Sequence, residues 1–515
     1  MRYRHGMQIG KGAADALEAL SRNLGVPPNM GDIGRRNPFV YLFPDLHDYG
    51  CDNFLPDDAG VASALRQLGE TMTEGVGGIA GPADHNEAEG IPAAYTYFGQ
   101  FVDHDITFTK SGLPDLANPG RPADPRPLIE NSRTASMDLD SLYDNAPRDG
   151  EKFVLGVVAK EGVPRADVVS TDDLHDLPRR PPSAVEAEDR EALIGDPRND
   201  ENLIVAQLHV AFLRAHNAIV DQGATGSEAR QKLSQHYQWM VLHDYLKRVA
   251  DPVTVDKVLS TGPKHFHPDP VRPGMPLEFA GAAYRFGHSM VRAAYNHNNI
   301  FNEGTPFSLL FTFTALSGQI GGGPAPQFPT LPQNWIIDWR RFLPGLGGSG
   351  MVNMARPIDP LLVDPLAHLT NVTGIEEAPP NNFLAQRNLL RGWQIRLPVG
   401  QAVAAALEIP KLTEAEVLSL SQGVSERQRD VLVANGFAER TPLWYYILLE
   451  AQQVRQDTGA SRLGPVGSTI LAEVFVGLCR VSLNSILREC HFKPSLGRQP
   501  GRFDLQDLLS LAKVI

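Results

Sequence analysis

The side chains best placed for chemistry lie in Tyr95–Thr109, YTYFGQFVDHDITFT. Read as a helix, this stretch turns about 100° per residue, so Gln100, Asp103 and His104 share one face at i, i+3 and i+4. Asp105 points roughly a quarter turn away, with Thr107 beyond it. One side therefore offers an amide, a carboxylate and an imidazole together. The surrounding Tyr95, Tyr97, Phe98, Phe101 and Phe108 predict burial. Buried charge is costly unless it is paired, hydrogen-bonded or metal-bound. The alternative is a capped core helix with one satisfied histidine.

Three further sets stand out. In Asn131–Tyr143, NSRTASMDLDSLY, oxygen-bearing Thr134, Ser136, Asp138 and Asp140 recur at every second position. Alternating oxygens in a tight loop suit a hard cation, which takes roughly six to eight of them; a polar turn or solvated strand edge reads the same way. Arg198 and Glu201 lie three apart in GDPRNDE, so they can project together, or form only a charge pair at a helix start. Arg285 and His288 stand at i and i+3 in LEFAGAAYRFGHSMV, Leu277–Val291.

The elements that position them are helical. Ile204, Leu208, Ala211/Phe212, Ala215 and Ile219 form a clean helical stripe after Glu201, with His209 and His216 on its flank as structural histidines. Residues 224–262 and Leu277–Val291 read as helical, as do Trp335–Phe342 and Leu361–Leu369. Thr413–Glu416 is a capping box opening another helix, and a last long one is expected from Val466 to about Leu487. Residues 110–130, 263–276 and 317–334 are Pro- or Gly-rich loop, and 145–190 reads as a surface excursion.

Gly99-Gln100-Phe101-Val102-Asp103-His104-Asp105 resembles the distal-helix signature of the animal-type haem peroxidases, of the peroxidase–cyclooxygenase superfamily. Arg198-x-x-Glu201, Arg285-x-Gly287-His288 and Asn388-Leu389-Leu390-Arg391 resemble that family's later motifs, in family order, between about Pro92 and Leu487. The resemblance implies a mainly α, large single-domain fold holding haem b between a distal and a proximal helix. It implies His104 as acid–base, Arg198 and Gln100 facing the peroxide, and His288 as axial iron ligand with Asn388 accepting its N–H. It implies Asp103 and Glu201 as possible ester links to the haem methyls, and Arg285 and Arg391 on the cofactor. Asn202 stands where myeloperoxidase has a Met, so a sulfonium link is not expected. The family's Arg-x-Arg-Asp-x-Gly is replaced by Arg391-Gly392-Trp393-Gln394-Ile395, so its Asp is missing. The alternating loop matches the family's calcium loop, which implies Thr134, Ser136 (through its carbonyl), Asp138, Asp140 and Asp105 as calcium ligands.

The expected activity is hydrogen peroxide reduction with oxidation of small donors (phenols, amines or halides) through a ferryl intermediate. The alternatives are a haem-dependent fatty-acid dioxygenase and a non-catalytic haem-fold adhesion or assembly module. Family oxygenases carry a radical tyrosine three residues before the proximal His; here that residue is Arg285, with Tyr284 beside it.

Composition narrows the partners. The 515 residues, 42% hydrophobic and 21% charged, are those of a globular protein, and a formal charge of −13 argues against nucleic acid or an anionic membrane. Cys51, Cys479 and Cys490 make neither a disulfide framework nor a zinc spacing. No run of 18 apolar residues is seen; the most apolar stretch, Val466–Cys479, reads as a buried helix. The first residues, MRYRHGMQIGKGAADAL, lack an apolar segment of the secretory kind, so a cytoplasmic location is expected, export by another route aside, and the sequon at Asn371 carries no weight. Residues 1–90 are expected to be an irregular N-terminal wrap, 91–490 the haem peroxidase core and 491–515 a C-terminal cover.

Overall fold

A computed structural model describes residues 37–48, 50–75, 90–169, 174–185, 188–311, 314, 328–347, 351–369, 378–489 and 491–515. Much of the expected N-terminal wrap, most of the 317–334 loop, Asn371 and Cys490 lie outside these residues. Within 1–90 the chain is more regular than expected. Asp58 caps a helix, α1 (Ala59–Thr71), by accepting from Gly60 N and Val61 N. Its buried stripe is Val61, Leu65 and Leu68, at helical spacing. That periodicity was legible, though masked by the Gly and Pro around it.

The chain then forms α2 (Ala94–Ile106), α3 (Leu203–Asp221), α4 (Gly226–Met240), α5 (Leu277–Gly281), α6 (Leu384–Gln394), α7 (Leu443–Thr458), α8 (Pro465–Val481) and α9 (Leu505–Leu511). Strands are only two or three residues long and pair in twos, so the fold is mainly α. α2 packs along α3: the Phe101 ring stacks on Phe212 at 4.4 Å, and Tyr237 of α4 closes edge-on against both. Asn202 caps α3 by accepting from Val205 N. Among the described residues, only α3 is long and apolar enough to cross a membrane, which the sequence reading did not single out; 83% of its apolar window is buried within the protein.

Several expected elements differ. Leu277–Val291 is not one helix but α5 followed, after a break at Ala282 (φ −139°, ψ −67°), by a 3₁₀ turn, Ala283–His288. Gly281 weakens the helix locally by about 1 kcal/mol, and it packs so tightly that a Cβ would lie 2.9 Å from Ile395 Cδ1. With three residues per turn, Arg285 and His288 eclipse each other. Trp335–Phe342 and Leu361–Leu369 hold only short 3₁₀ turns, at Gln333–Trp335, Trp339–Arg341 and Asp364–Ala367. The capping box at Thr413 opens a single turn, and α8 ends at Val481 rather than Leu487.

Residues 145–190 are not a plain surface excursion. They bury Phe153, Leu174 and Leu177. Their Arg179 bridges the buried carboxylates of Asp176 and Asp200, with Nη1 2.6 Å from Asp200 Oδ2. This braces the turn Pro197–Asp200 from behind. Beyond 491, α9 docks on the core, where Arg214 of α3 donates to the Ala512 carbonyl at 2.6 Å.

Candidate functional site

α2, the turn before α3, the 3₁₀ turn Ala283–His288 and α6 enclose one cavity of about 230 Å³. α2 contributes Gln100, Asp103 and the following Thr107; the turn contributes Arg198, Glu201 and Asn202. Arg285, Gly287, His288, Arg387 and Arg391 line the remaining wall. Residues nearly three hundred positions apart in the chain thus meet at one place, as the family resemblance implied.

His104 is fully buried and does not itself line the open cavity. Its Nε2 lies 3.9 Å from Glu201 Oε1. Its Nδ1 meets Asn199 Oδ1 at 2.8 Å, and Asn199 Nδ2 meets His209 Nδ1 at 3.0 Å. Because an amide oxygen only accepts, His104 Nδ1 carries the proton and Nε2 keeps its lone pair. Burial, with Arg198 adding to it, pushes the imidazole down to about 3, so it is neutral at pH 7. His209 therefore belongs to the site's support; His216, bonded to Tyr143 and the Glu151 carbonyl, is structural as expected.

Arg198 lines the cavity but is heavily engaged. Its Nε and Nη2 pair with Asp196, and Nη2 also reaches the carbonyls of His104 and Thr107. Burial alone would raise the Asp196 carboxyl; Arg198 and Arg133 outweigh it and hold it well below the usual range. Gln100 is likewise engaged: its Nε2 donates to Glu201 Oε1, and its Oε1 accepts from Asn202 Nδ2 at 3.1 Å. Asp103 accepts from the Thr107 hydroxyl, and its enclosure pushes its carboxyl upward.

On the remaining wall Asn388 lies beside His288, but turned the other way from expectation. Its Nδ2 faces His288 Nδ1 at 2.8 Å, while its Oδ1 accepts from Arg285 Nη1 at 3.0 Å. Arg285 has only donors to offer, so it takes the oxygen. Burial, then Arg285 and Arg387, push His288 down to about 3, which keeps it neutral. Burial and the same two guanidiniums push Arg391 down to about 9. Gln394, standing where the family pattern has its Asp, accepts from Arg391 Nη1. Arg387 was missed in the sequence, although it stands four before Arg391 on the same helix face.

Asp105 points away from the cavity and reaches the 131–143 segment as expected. It accepts from the Leu139 and Ser141 amides and the Ser141 hydroxyl. Burial, with Asp140 adding to it, pushes Asp105 up to about 7. Asp138 accepts from the Ser136 hydroxyl and Leu483 N, and Thr134 O from Ser136 N. Among the described residues no group of three or more acids, histidines or cysteines converges as a metal cage. Asp140 lies close enough to Asp105 and Asp138 to add to the burial that raises both carboxyls.

Residues 118–316 match the family model for animal haem peroxidase. The chain is 26% identical over 268 residues to a peroxidase-like protein of Margaritifera margaritifera, covering 42% of this chain and 33% of that one. It is 27% identical over 191 residues to human thyroid peroxidase, covering 33% and 20%. These matches span a third or less of the relatives' own lengths. Among solved structures, peroxidase A from Dictyostelium discoideum superposes with a TM-score of 0.52 at 16% identity, over 88% of both chains. A fatty acid alpha-dioxygenase from Oryza sativa does so at 0.50 and 12% identity, over 83% of this chain and 73% of that one. Residues 118–316 thus match an animal haem peroxidase domain, and the chain shares the mainly α fold of these solved structures.

Proposed function

We propose that this chain is a haem peroxidase that reduces hydrogen peroxide and oxidises small donors such as phenols, amines or halides. The observation that carries the reading is one cavity flanked by two neutral histidines, His104 and His288, each held at Nδ1 by an asparagine. The residues present fit a haem. A Cβ at Gly287 would meet nothing within 4 Å, so this wall is open for a flat group. Three enclosed guanidiniums, Arg285, Arg387 and Arg391, border the same space and press on one another. Two carboxylates, as on the edge of haem b, are what such a cluster attracts.

Haem b, when bound, would supply the redox chemistry by which peroxide is reduced. His288 would hold the iron, and Arg285, Arg387 and Arg391 would pair with the haem carboxylates. A carboxylate that draws Arg285 away frees the Asn388 oxygen, and the turned amide can then accept His288 Nδ1–H and orient the ring. His104 Nε2 takes a proton from one peroxide oxygen and returns it to the departing one, so that water leaves. Asn199 keeps that lone pair available. Arg198, screened by Asp196, contributes less charge than a free guanidinium and also ties the end of α2 to the turn before α3. Gln100 holds Glu201 in register with Asn202 and borders the peroxide site. Asp103 and Glu201 both line the cavity and are assigned as the carboxylates able to esterify the haem.

Calcium is assigned to Asp105, Asp138 and Asp140 with Thr134 and the Ser136 carbonyl. Its support is electrostatic: burial, with Asp140 adding to it, pushes the Asp105 and Asp138 carboxyls upward, a cost that a cation relieves.

The fatty-acid oxygenase is the second reading, favoured by the rice neighbour. Against it stands Arg285, which cannot form a radical at the position where family oxygenases carry theirs. The test is a paired assay on haem-loaded protein: peroxide with a phenol, and unsaturated fatty acid under oxygen with mass spectrometry. Rapid phenol oxidation without hydroperoxide is expected; rapid stereospecific hydroperoxide formation with poor phenol oxidation would overturn the reading.

A further inference from the structure

One tyrosine on the cavity wall differs from its neighbours in what its hydroxyl meets. Tyr95, at the start of α2, lines the cavity and is 2% exposed. Its hydroxyl donates to Asp244 Oδ2 at 2.7 Å. Tyr284, also on the wall, donates to the Gly99 carbonyl, which cannot keep a proton. Tyr97 meets a second phenol, that of Tyr295, and Tyr245, also on the wall, meets that of Tyr284. Tyr95 is thus the described cavity tyrosine bonded to a carboxylate.

Asp244 is held by two further donors. Its Oδ1 accepts from Arg248 Nε at 2.7 Å, and its Oδ2 also accepts from Leu505 N at 3.1 Å, at the start of α9. Arg248 lies over the Tyr95 ring, 4.5 Å from its centroid, and its side chain is 43% exposed. Tyr95, Asp244 and Arg248 therefore run from the cavity wall to the protein surface. Asp244 sits in a π turn, Val241–Tyr245, that interrupts the helical run after α4. Such turns concentrate at functional sites. Burial, then Asp244, push the Tyr95 phenol well above its ordinary value, so it does not ionise by itself.

We propose that Tyr95 is a redox-active tyrosine that relays oxidising equivalents from the cavity toward the surface. The proposal rests on the peroxidase reading for its oxidant, a one-electron oxidant formed in the cavity from peroxide. Tyr95 gives that oxidant one electron as its O–H bond breaks, and the proton passes to Asp244 Oδ2. The products are a neutral phenoxyl radical, a neutral Asp244 carboxylic acid and an oxidant reduced by one electron. A phenolic or amine donor reaching the Arg248 side returns one electron to Tyr95, which recovers its proton from Asp244; the donor's own proton goes to water.

The test uses freeze-quench electron paramagnetic resonance on the full chain carrying ring-deuterated tyrosine. Haem-loaded protein is oxidised in one arm with peroxide, and in the other with a photogenerated ruthenium(III) polypyridyl oxidant. In the second arm a tyrosyl signal is expected that narrows with deuteration, vanishes in Tyr95→Phe and survives in Tyr284→Phe. Asp244→Asn, which leaves the phenol in place, is expected to cut the radical yield. Equal signals from wild type and Tyr95→Phe in the photo-oxidant arm would overturn the proposal. A Tyr95-dependent signal there, with silence in the peroxide arm, would uphold Tyr95 and overturn the peroxide-derived oxidant instead.

Discussion

Replacing Asn199 with leucine separates the positioning of His104 from its presence. In the fold His104, Asn199 and His209 are each fully buried and joined by contacts of 2.8 and 3.0 Å. Leucine removes the Asn199 partner of both His104 Nδ1–H and His209 Nδ1. Each stranded buried group costs about 1–3 kcal/mol, so thermal stability should fall without loss of the fold. The functional effect is separate. His104 can recover a partner by moving its proton to Nε2, toward Glu201 Oε1 3.9 Å away. That tautomer has no lone pair left for the substrate. Loss of a positioned base slows its step by about 10²–10⁴-fold. Stopped-flow mixing of haem-loaded Asn199→Leu with peroxide should show a slowing of that order, with haem still bound. Asn199→Asp, whose carboxylate still accepts from Nδ1–H, should recover most of the rate. Wild-type rates in a folded, haem-loaded Asn199→Leu would refute the assignment of His104's tautomer to Asn199.

Two further outcomes follow from the geometry. Asp196→Asn leaves Arg133 and Arg198 without their shared buried carboxylate, and should cost about 3–5 kcal/mol in denaturant titrations. Because the folded carboxyl is held below its unfolded value, its contribution is full above about pH 4 and is lost as pH falls through the folded value; Asp196→Asn should therefore flatten the acid limb of stability, and an unchanged limb would count against the pairing. Elemental analysis should find about one calcium per chain, as an all-oxygen site of this kind takes, and chelation should disturb the haem spectrum through Asp105 and its neighbour His104; absence of calcium with a harmless chelator would remove the site.

What was legible in the sequence follows from range. Gln100, Asp103 and His104 could be placed on one side because helix periodicity is local, and Phe101 announced the burial of that helix. Arg285 and His288 were read three apart, yet their stacking depends on a helix break at Ala282 that no propensity dictates strongly. Arg179 reaching Asp200, and Asp196 serving Arg133 and Arg198, join segments through tertiary packing, and no spacing encodes them. Asn199 was visible as a residue but not as a partner of His104, because only the fold brings α2 against that turn. The orientation of Asn388 depends on what else bids for its oxygen, here Arg285.

The proposed reaction requires a haem held by His288 that meets peroxide beside His104. Absorption spectra of wild type and His288→Ala, supplied with haem b and recorded before and after peroxide, test this most directly. Wild type should show a strong Soret band that shifts with peroxide and returns when a phenol is added, while His288→Ala should lose the band or its response. No haem uptake by wild type, or the same band and the same peroxide response in both proteins, would contradict it.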